Sequence, residues 1–314
     1  MRRLFCAVAV QRNTICQQPI ANSQQPYACD VRFVRPNRVL YAVPSHFGEV
    51  IPANHKSTPL ITCNESPPFF RCLVVRYPAA IRYHAAMLLL FDVDGTLLDT
   101  HHAGRDAMAD AGRELFGDAF SLSEVEIAGR LDWLIYRDAA AANEIEDPTP
   151  YQDEFRRLYG ENLKRRFENG QPAELLPGVG DLIEKLTETG RHTLGVLTGN
   201  FPETGRLKIA SAGLDPDIFT ITAWGSDGNE RRELPAVAMR RYHEKHDRAI
   251  NPLEVVIFGD TPHDVDCARA NGCRSLAVGT GQYSVEILRA CRPHHVVENL
   301  ADFRAILTWM DTLS

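Results

Sequence analysis

From residue 87 onward, apolar and polar positions along the chain fall into two alternating rhythms. Short, strongly apolar stretches stand at 88–91, 192–197, 254–258 and 275–278, with weaker ones at 219–224 and 295–297. Stretches of that length, stopped by Gly, Asp or Thr, read as strands buried on both faces. Between them lie segments with apolar residues at helical spacing: 179–188, 204–212, 234–246, 261–271, 284–290 and 300–313. In the first of these Leu182, Ile183 and Leu186 share one face, and Gly190, Gly213 and Gly272 stand where helices should stop. Such alternation predicts an α/β fold, a parallel sheet with helices on both faces.

The alternation is interrupted once. Residues 102–170 hold no strand pattern but three helical ones, at 103–116 (closed by Gly117), 131–143 and 151–167. The last carries Tyr151, Phe155, Leu158, Tyr159, Leu163 and Phe167 on one stripe. Residues 95–99 should form a short flap before the first of these helices. The body therefore reads as a core of 87–101 and 171–314 with an all-helical insertion, 102–170, after the first strand.

The first 86 residues follow neither rhythm and are rich in Pro, Gln, Asn and Arg. They carry 10 Lys and Arg against 3 Asp and Glu, a charge of +7, whereas the other 228 carry 24 against 38, a charge of −14. The start, Met1 to Val10, faintly resembles a secretory or transit signal, but its apolar core is short and Gln11 and Arg12 follow at once. Met87, directly before the first core strand, is the natural start of a compact domain. The preceding 86 residues are expected to be a poorly ordered extension. The acidic body argues against nucleic-acid binding, and no apolar run approaches the ~20 residues of a membrane span. Five of eight cysteines lie in the extension without close pairs, a poor pattern for zinc. Cys267, Cys273 and Cys291 read as small apolar residues of a reducing compartment, and the expected location is cytoplasmic.

Chemistry gathers at the carboxyl ends of the strands, where open α/β sheets bind ligands. The first strand runs into Phe91-Asp92-Val93-Asp94-Gly95-Thr96, placing Asp92 and Asp94 on one face. Two adjacent carboxylates there call for a cation or a shared proton. The second polar strand end is Leu197-Thr198-Gly199-Asn200, a hydroxyl followed by the N–H groups of a turn and a helix start, suited to phosphoryl oxygens. The third is Phe258-Gly259-Asp260-Thr261-Pro262-His263-Asp264, with two acids one helical turn apart. Four aspartates around one space make an oxygen-rich pocket that favours Mg²⁺.

These stretches resemble, in order, the first, second and fourth signatures of the haloacid dehalogenase superfamily. The helical insertion is similar to the cap of its phosphoglycolate phosphatase and β-phosphoglucomutase branch. The resemblance implies a Rossmann-like core, Asp92 as nucleophile and Asp94 as general acid/base. It also implies Mg²⁺ on Asp92, Asp94, Asp260 and Asp264, and phosphate on Thr198, Gly199 and Asn200. The superfamily's third signature, usually a Lys before a helix, is here Arg231-Arg232-Glu233-Leu234-Pro235. Lys208 is therefore the expected phosphate-binding cation, with Arg232 in reserve. From the insertion, Arg130 and Arg105 are candidates for a substrate carboxylate or second phosphate.

The activity implied is Mg²⁺-dependent hydrolysis of a small phosphorylated metabolite, phosphoglycolate being the first guess. A phosphosugar mutase is the alternative, and a non-catalytic binding module ranks below both. A dehalogenase would need neither Asp94 nor the metal. The oligomeric state is not readable from the sequence.

Overall fold

A computed structural model of the chain describes residues 86–313 and, further upstream, an antiparallel two-residue pair, Cys29–Asp30 with Val43–Pro44. Apart from Ala86 and that pair, the expectation for residues 1–86 lies outside the described residues. The sheet of the body has six parallel strands: β1 Leu88–Phe91, β4 Thr193–Leu197, β5 Ile221–Ala223, β6 Val255–Gly259, β7 Arg274–Val278 and β8 His295–Val297. Their order across the sheet is β8-β7-β6-β1-β4-β5. The chain runs outward from β1 on one side, then returns and runs outward on the other. β1 is thus the switch point, where parallel sheets open a crevice for ligands.

The strands form because both their faces are covered. Leu88 and Leu90 join one core with Val255, Ile257, Leu197 and Ile221, against helix α6 (Leu234–His246) and helix α7 (Pro262–Ala270). Leu89 and Phe91 join the other with Val196, Val256, Phe258 and Leu276. There the cover is helix α4 (Val179–Thr189), through Val179, Leu182, Ile183 and Leu186, and helix α9 (Phe303–Asp311), through Ile306 and Met310. All four residues of β1 are fully buried. At about 25 cal/mol per Å² of apolar surface, each side chain stabilises the fold by roughly 1.5–3 kcal/mol. Phe91 stacks on Phe258 across the β1–β6 pair, 4.4 Å between ring centres, which fixes these two strands at their carboxyl ends.

After β1 the chain turns through Gly95 into β2 (Leu98–Asp99), which pairs antiparallel with β3 (Glu174–Leu175). This ribbon carries the helical insertion: α1 (Ala103–Phe116), α2 (Asp132–Ala142) and α3 (Gln152–Glu168). The three helices own a separate core of Ala107, Met108, Ala111, Phe120, Ile135, Tyr136, Phe155, Tyr159 and Leu163. From the sheet side Phe201, at the start of helix α5 (Pro202–Ser211), enters it, and Leu207 of that helix packs against it. The expected helix boundaries agree with the observed ones to within three residues. Within residues 86–313, the β2–β3 ribbon gave no advance signal as paired strands. Among the described residues no helix is long and apolar enough to cross a membrane, and Cys267 and Cys273 are free and buried.

Candidate active site

The register of the sheet builds the site. Phe91 lies level with Val196 on one side and Phe258 on the other. The next residues of the three strands, Asp92, Leu197 and Gly259, therefore stand in a row, with Thr198 and Asp260 one step beyond. Asp92 is held by its own N–H, which donates to the carbonyl of Phe258 at 2.9 Å. Asp264 enters from the first turn of α7, where Thr261 and Asp264 cap each other. The Thr261 N–H and hydroxyl donate to Asp264 Oδ2 at 3.1 and 2.7 Å. As a result, one carboxylate oxygen each from Asp92, Asp260 and Asp264 lie within 4.8 Å of one another, all three residues buried.

Asp260 sits in a tight cradle. The Thr96 hydroxyl donates to its Oδ1 at 3.1 Å. Gly95, at φ +77°, turns the chain beneath it, and a Cβ there would come within 2.4 Å of Asp260 Oδ2. A Cβ on Gly281, in the loop after β7, would come within 1.7 Å. Thr280 ties that loop down by donating to the Gly95 carbonyl at 2.6 Å. Only residues without side chains leave the carboxylate room at these two points.

Three buried acids this close repel. Burial pushes the carboxyl of Asp92 up to about 6; Arg231 pulls the other way, and Asp264 adds to the rise. Asp260 is raised well above the ordinary value, by burial first and then by Asp92 and Asp264. The partial remedy is Arg231, itself buried, whose guanidinium lies 3.0 Å from Asp92 Oδ2 and 2.5 Å from Asp264 Oδ1. Burial works against its charge, but Asp264 and Asp92 outweigh it and hold Arg231 protonated. One cation for three acids leaves the cluster short of positive charge. A hard divalent ion with oxygen preference fits the donor set that remains.

Of the expected cations, Arg232 is corrected by the structure. The short 3₁₀ turn Arg231–Glu233 directs Arg231 inward and Arg232 outward, where it is 59 % exposed and paired with Asp266. Lys208 is buried as expected, but its Nζ bonds Asp94, at 2.9 Å to Oδ1 and 2.7 Å to Oδ2. Asn200 completes that group: its Oδ1 accepts from Lys208 at 2.6 Å, and its Nδ2 donates to Asp94 at 2.7 Å and to the Thr198 hydroxyl at 2.8 Å. Thr198 in turn faces Asp92 and helps to lower its carboxyl. Asp94 is the least buried of the four aspartates, with a side chain 42 % exposed.

The insertion docks on this segment of the core. Gly199 accepts from the Asp132 N–H at 2.8 Å and lies so close to Arg130 that a Cβ would meet its carbonyl oxygen at 1.9 Å. Asp132 accepts from the Phe201 N–H at 2.9 Å. Burial raises its carboxyl to about 7, against the pull of Lys208. The Arg130 guanidinium pairs with Asp138 and Glu126, and Arg105 is exposed, 3.4 Å from the carbonyl of Leu122. A cleft of about 200 Å³ beside Arg231 is lined by Gly129, Arg130, Leu131, His263 and Asp266 among others. The sequence reading passed over Arg231, Thr96, Gly281, Tyr159 and Asp132. Of these Arg231 and Thr96 had a signal, their places in the third and first signatures.

Comparison with known proteins bears on the family and the fold. A phosphoglycolate phosphatase of Vibrio vulnificus is 28% identical over 218 residues, 68% of this chain and 92% of that one. A 5'-nucleotidase of Pseudomonas aeruginosa is 26% identical over 73% of this chain and 97% of its own. Among solved structures, a β-phosphoglucomutase from Clostridium difficile superposes with a TM-score of 0.55, covering 72% of this chain and 98% of its own at 13% identity, a likeness of fold. Residues 86–272 match the family described as haloacid dehalogenase-like hydrolase, and the chain belongs to that family.

Proposed function

We propose that the protein is a Mg²⁺-dependent phosphatase that hydrolyses a small phosphomonoester, with phosphoglycolate-like compounds as the first substrates to try. The observation that carries this reading is the convergence of buried Asp92, Asp260 and Asp264 beside one buried arginine at the switch point of the sheet. The names of the relatives, a phosphoglycolate phosphatase and a 5'-nucleotidase, support the same reaction class.

Asp92 attacks phosphorus in line with the leaving oxygen and forms an aspartyl-phosphate while the P–O ester bond breaks. Asp94 gives its proton to the departing alkoxide. It then takes a proton from the water that attacks the phosphorus of the intermediate, releasing phosphate and restoring the Asp92 carboxylate. Arg231 favours the ionised, nucleophilic form of Asp92 and accommodates the incoming dianion. The Thr198 hydroxyl and the N–H groups of Gly199 and Asn200 receive phosphoryl oxygens as charge redistributes. Mg²⁺, held by Asp92, Asp260 and the Asp94 carbonyl with Asp264 behind, would supply charge neutralisation where two anions meet. The helical insertion acts as a cap that keeps bulk water from the reacting groups.

The test is release of inorganic phosphate by purified protein from a panel of phosphomonoesters, with Mg²⁺ and with EDTA. Turnover should need Mg²⁺ and should vanish in Asp92→Asn. Phosphate release that survives that substitution would overturn the assignment. A hexose phosphate isomerised without free phosphate would mean a mutase instead.

A further inference from the structure

The site contains two buried cations, and only Arg231 touches the acid cluster. Lys208 is turned elsewhere. Its ammonium donates to both oxygens of Asp94 and to the side-chain oxygen of Asn200, three acceptors within 2.9 Å. An ammonium has three protons, so these contacts occupy it without recourse to a phosphate. The helical insertion supplies the other walls. Tyr159, fully buried on α3, faces Lys208 and favours its charge, and Asp132 on α2 is the second acid facing it. On α1, Gly104 leaves the room, since a Cβ there would stand 3.2 Å from Nζ. Asp94, Tyr159 and Asp132 together outweigh burial and keep Lys208 charged.

What this arrangement controls is Asp94. Its side chain is 42 % exposed, and what grips it is Lys208 and Asn200. A carboxylate that transfers protons must point at the leaving oxygen, and an error of about 1 Å in such a group costs on the order of 100-fold. Asn200 carries the same alignment to Thr198, and through it to Asp92. A lysine buried this completely at a core–insertion junction, with a tyrosine hydroxyl to steady it, is a device for orientation.

We propose that Lys208 is a positioning residue for proton transfer: it aligns the Asp94 carboxylate on the leaving group, and Tyr159 of the helical insertion holds Lys208 in place. The proposal rests on the reading of Asp94 as general acid. It separates Lys208 from the phosphate-binding groups. An alkyl phosphate needs its alkoxide protonated as it leaves, whereas p-nitrophenolate leaves without a proton. Loss of alignment should therefore penalise the alkyl ester selectively.

The experiment compares kcat/KM for glycerol phosphate and p-nitrophenyl phosphate, and the inhibition constant of inorganic phosphate, in the wild type, Lys208→Met, Tyr159→Phe and Asp94→Asn. kcat/KM reports the steps up to transfer to Asp92. Asp94→Asn is the reference and should depress the alkyl-to-aryl ratio by about 100-fold or more. Lys208→Met should depress it by about 10- to 100-fold and Tyr159→Phe by about 3-fold, with phosphate inhibition within about twofold of wild type. An unchanged ratio in Lys208→Met beside a depressed one in Asp94→Asn overturns the positioning role alone. Equal losses on both esters with weakened phosphate inhibition would make Lys208 a phosphate ligand. An unchanged ratio in Asp94→Asn would overturn the acid assignment and the inference with it. Should Lys208→Met fail to fold, Tyr159→Phe, which removes one hydroxyl, decides the matter by the same ratio.

Discussion

Arg231→Met isolates the electrostatics of the acid cluster. The substitution keeps an unbranched apolar side chain and removes the one guanidinium that lies 3.0 Å from Asp92 and 2.5 Å from Asp264. The two acids respond differently. With its carboxyl at about 6, Asp92 escapes isolation by taking up a proton. At pH 7 that limits its share of the loss to about 1.4 kcal/mol, one pH unit. Asp264 keeps the two Thr261 bonds on Oδ2 but loses both arginine donors on Oδ1. Charge-assisted bonds of this kind contribute roughly 1.5–3 kcal/mol. The expected total is about 3–4 kcal/mol, within the range for breaking a buried ion pair. In a domain of this size that lowers the melting temperature by roughly 6–16 °C. Urea unfolding in EDTA at pH 5 and pH 7 measures it. The Asp92 share should disappear at pH 5, where that group is protonated with or without Arg231, so the variant's deficit should shrink by about 1 kcal/mol. A variant that unfolds within 1 kcal/mol of wild type at pH 7 would refute the reasoning, as would a deficit that grows on acidification.

Asp132 gives a linkage prediction of its own. Its carboxyl is at about 7 in the fold against 3.8 unfolded, so the stability it contributes is complete below pH 3.8 and lost as pH rises through 7. Between pH 5 and pH 8 the wild type should lose about 2–3 kcal/mol relative to Asp132→Asn, measured by paired urea titrations; parallel curves would contradict the shift. Gly281→Ala should force Asp260 out of its cradle, because the new methyl falls 1.7 Å from Oδ2. The Mg²⁺ concentration for half-maximal activity should rise by about 10- to 100-fold with little change in melting, and an unaltered Mg²⁺ titration would show that Asp260 does not serve the metal. Asp92→Asn should abolish turnover yet melt at or above the wild-type temperature in EDTA, since it removes a buried charge that repels its neighbours; a large drop would mean that the carboxylate stabilises the fold.

The sheet was legible because its central strands are apolar on both faces and several helices stop at or beside a glycine. Leu88–Phe91 has no reading but a buried strand, and Gly117 and Gly190 mark helix ends to the residue. The acid cluster was legible through spacing. Asp92 and Asp94 follow one strand, and Asp260 and Asp264 lie a helical turn apart behind another. What stayed hidden depends on direction. Arg231 and Arg232 are chemically identical neighbours, and only the 3₁₀ turn decides which of them faces the acids. Lys208 has its acid far off along the chain, since Asp94 is 114 positions away. The strands Leu98–Asp99 and Glu174–Leu175 are two residues each, too short to leave a period in the sequence.

That narrow ribbon has an evolutionary corollary. Leu98 and Leu175 are paired partners, so the inserted helices leave and rejoin the sheet domain through points about 5 Å apart. Any module whose own ends lie side by side meets that boundary condition, provided that it also supplies a partner for Lys208 where Tyr159 now stands. The patch to be re-matched is the run from Gly199 to Lys208 together with Arg231, Thr261 and His263, which meet the present module at Gly129. On the proposed function, trading the inserted module would bring new substrates to the site while the aspartates of the sheet domain stay as they are.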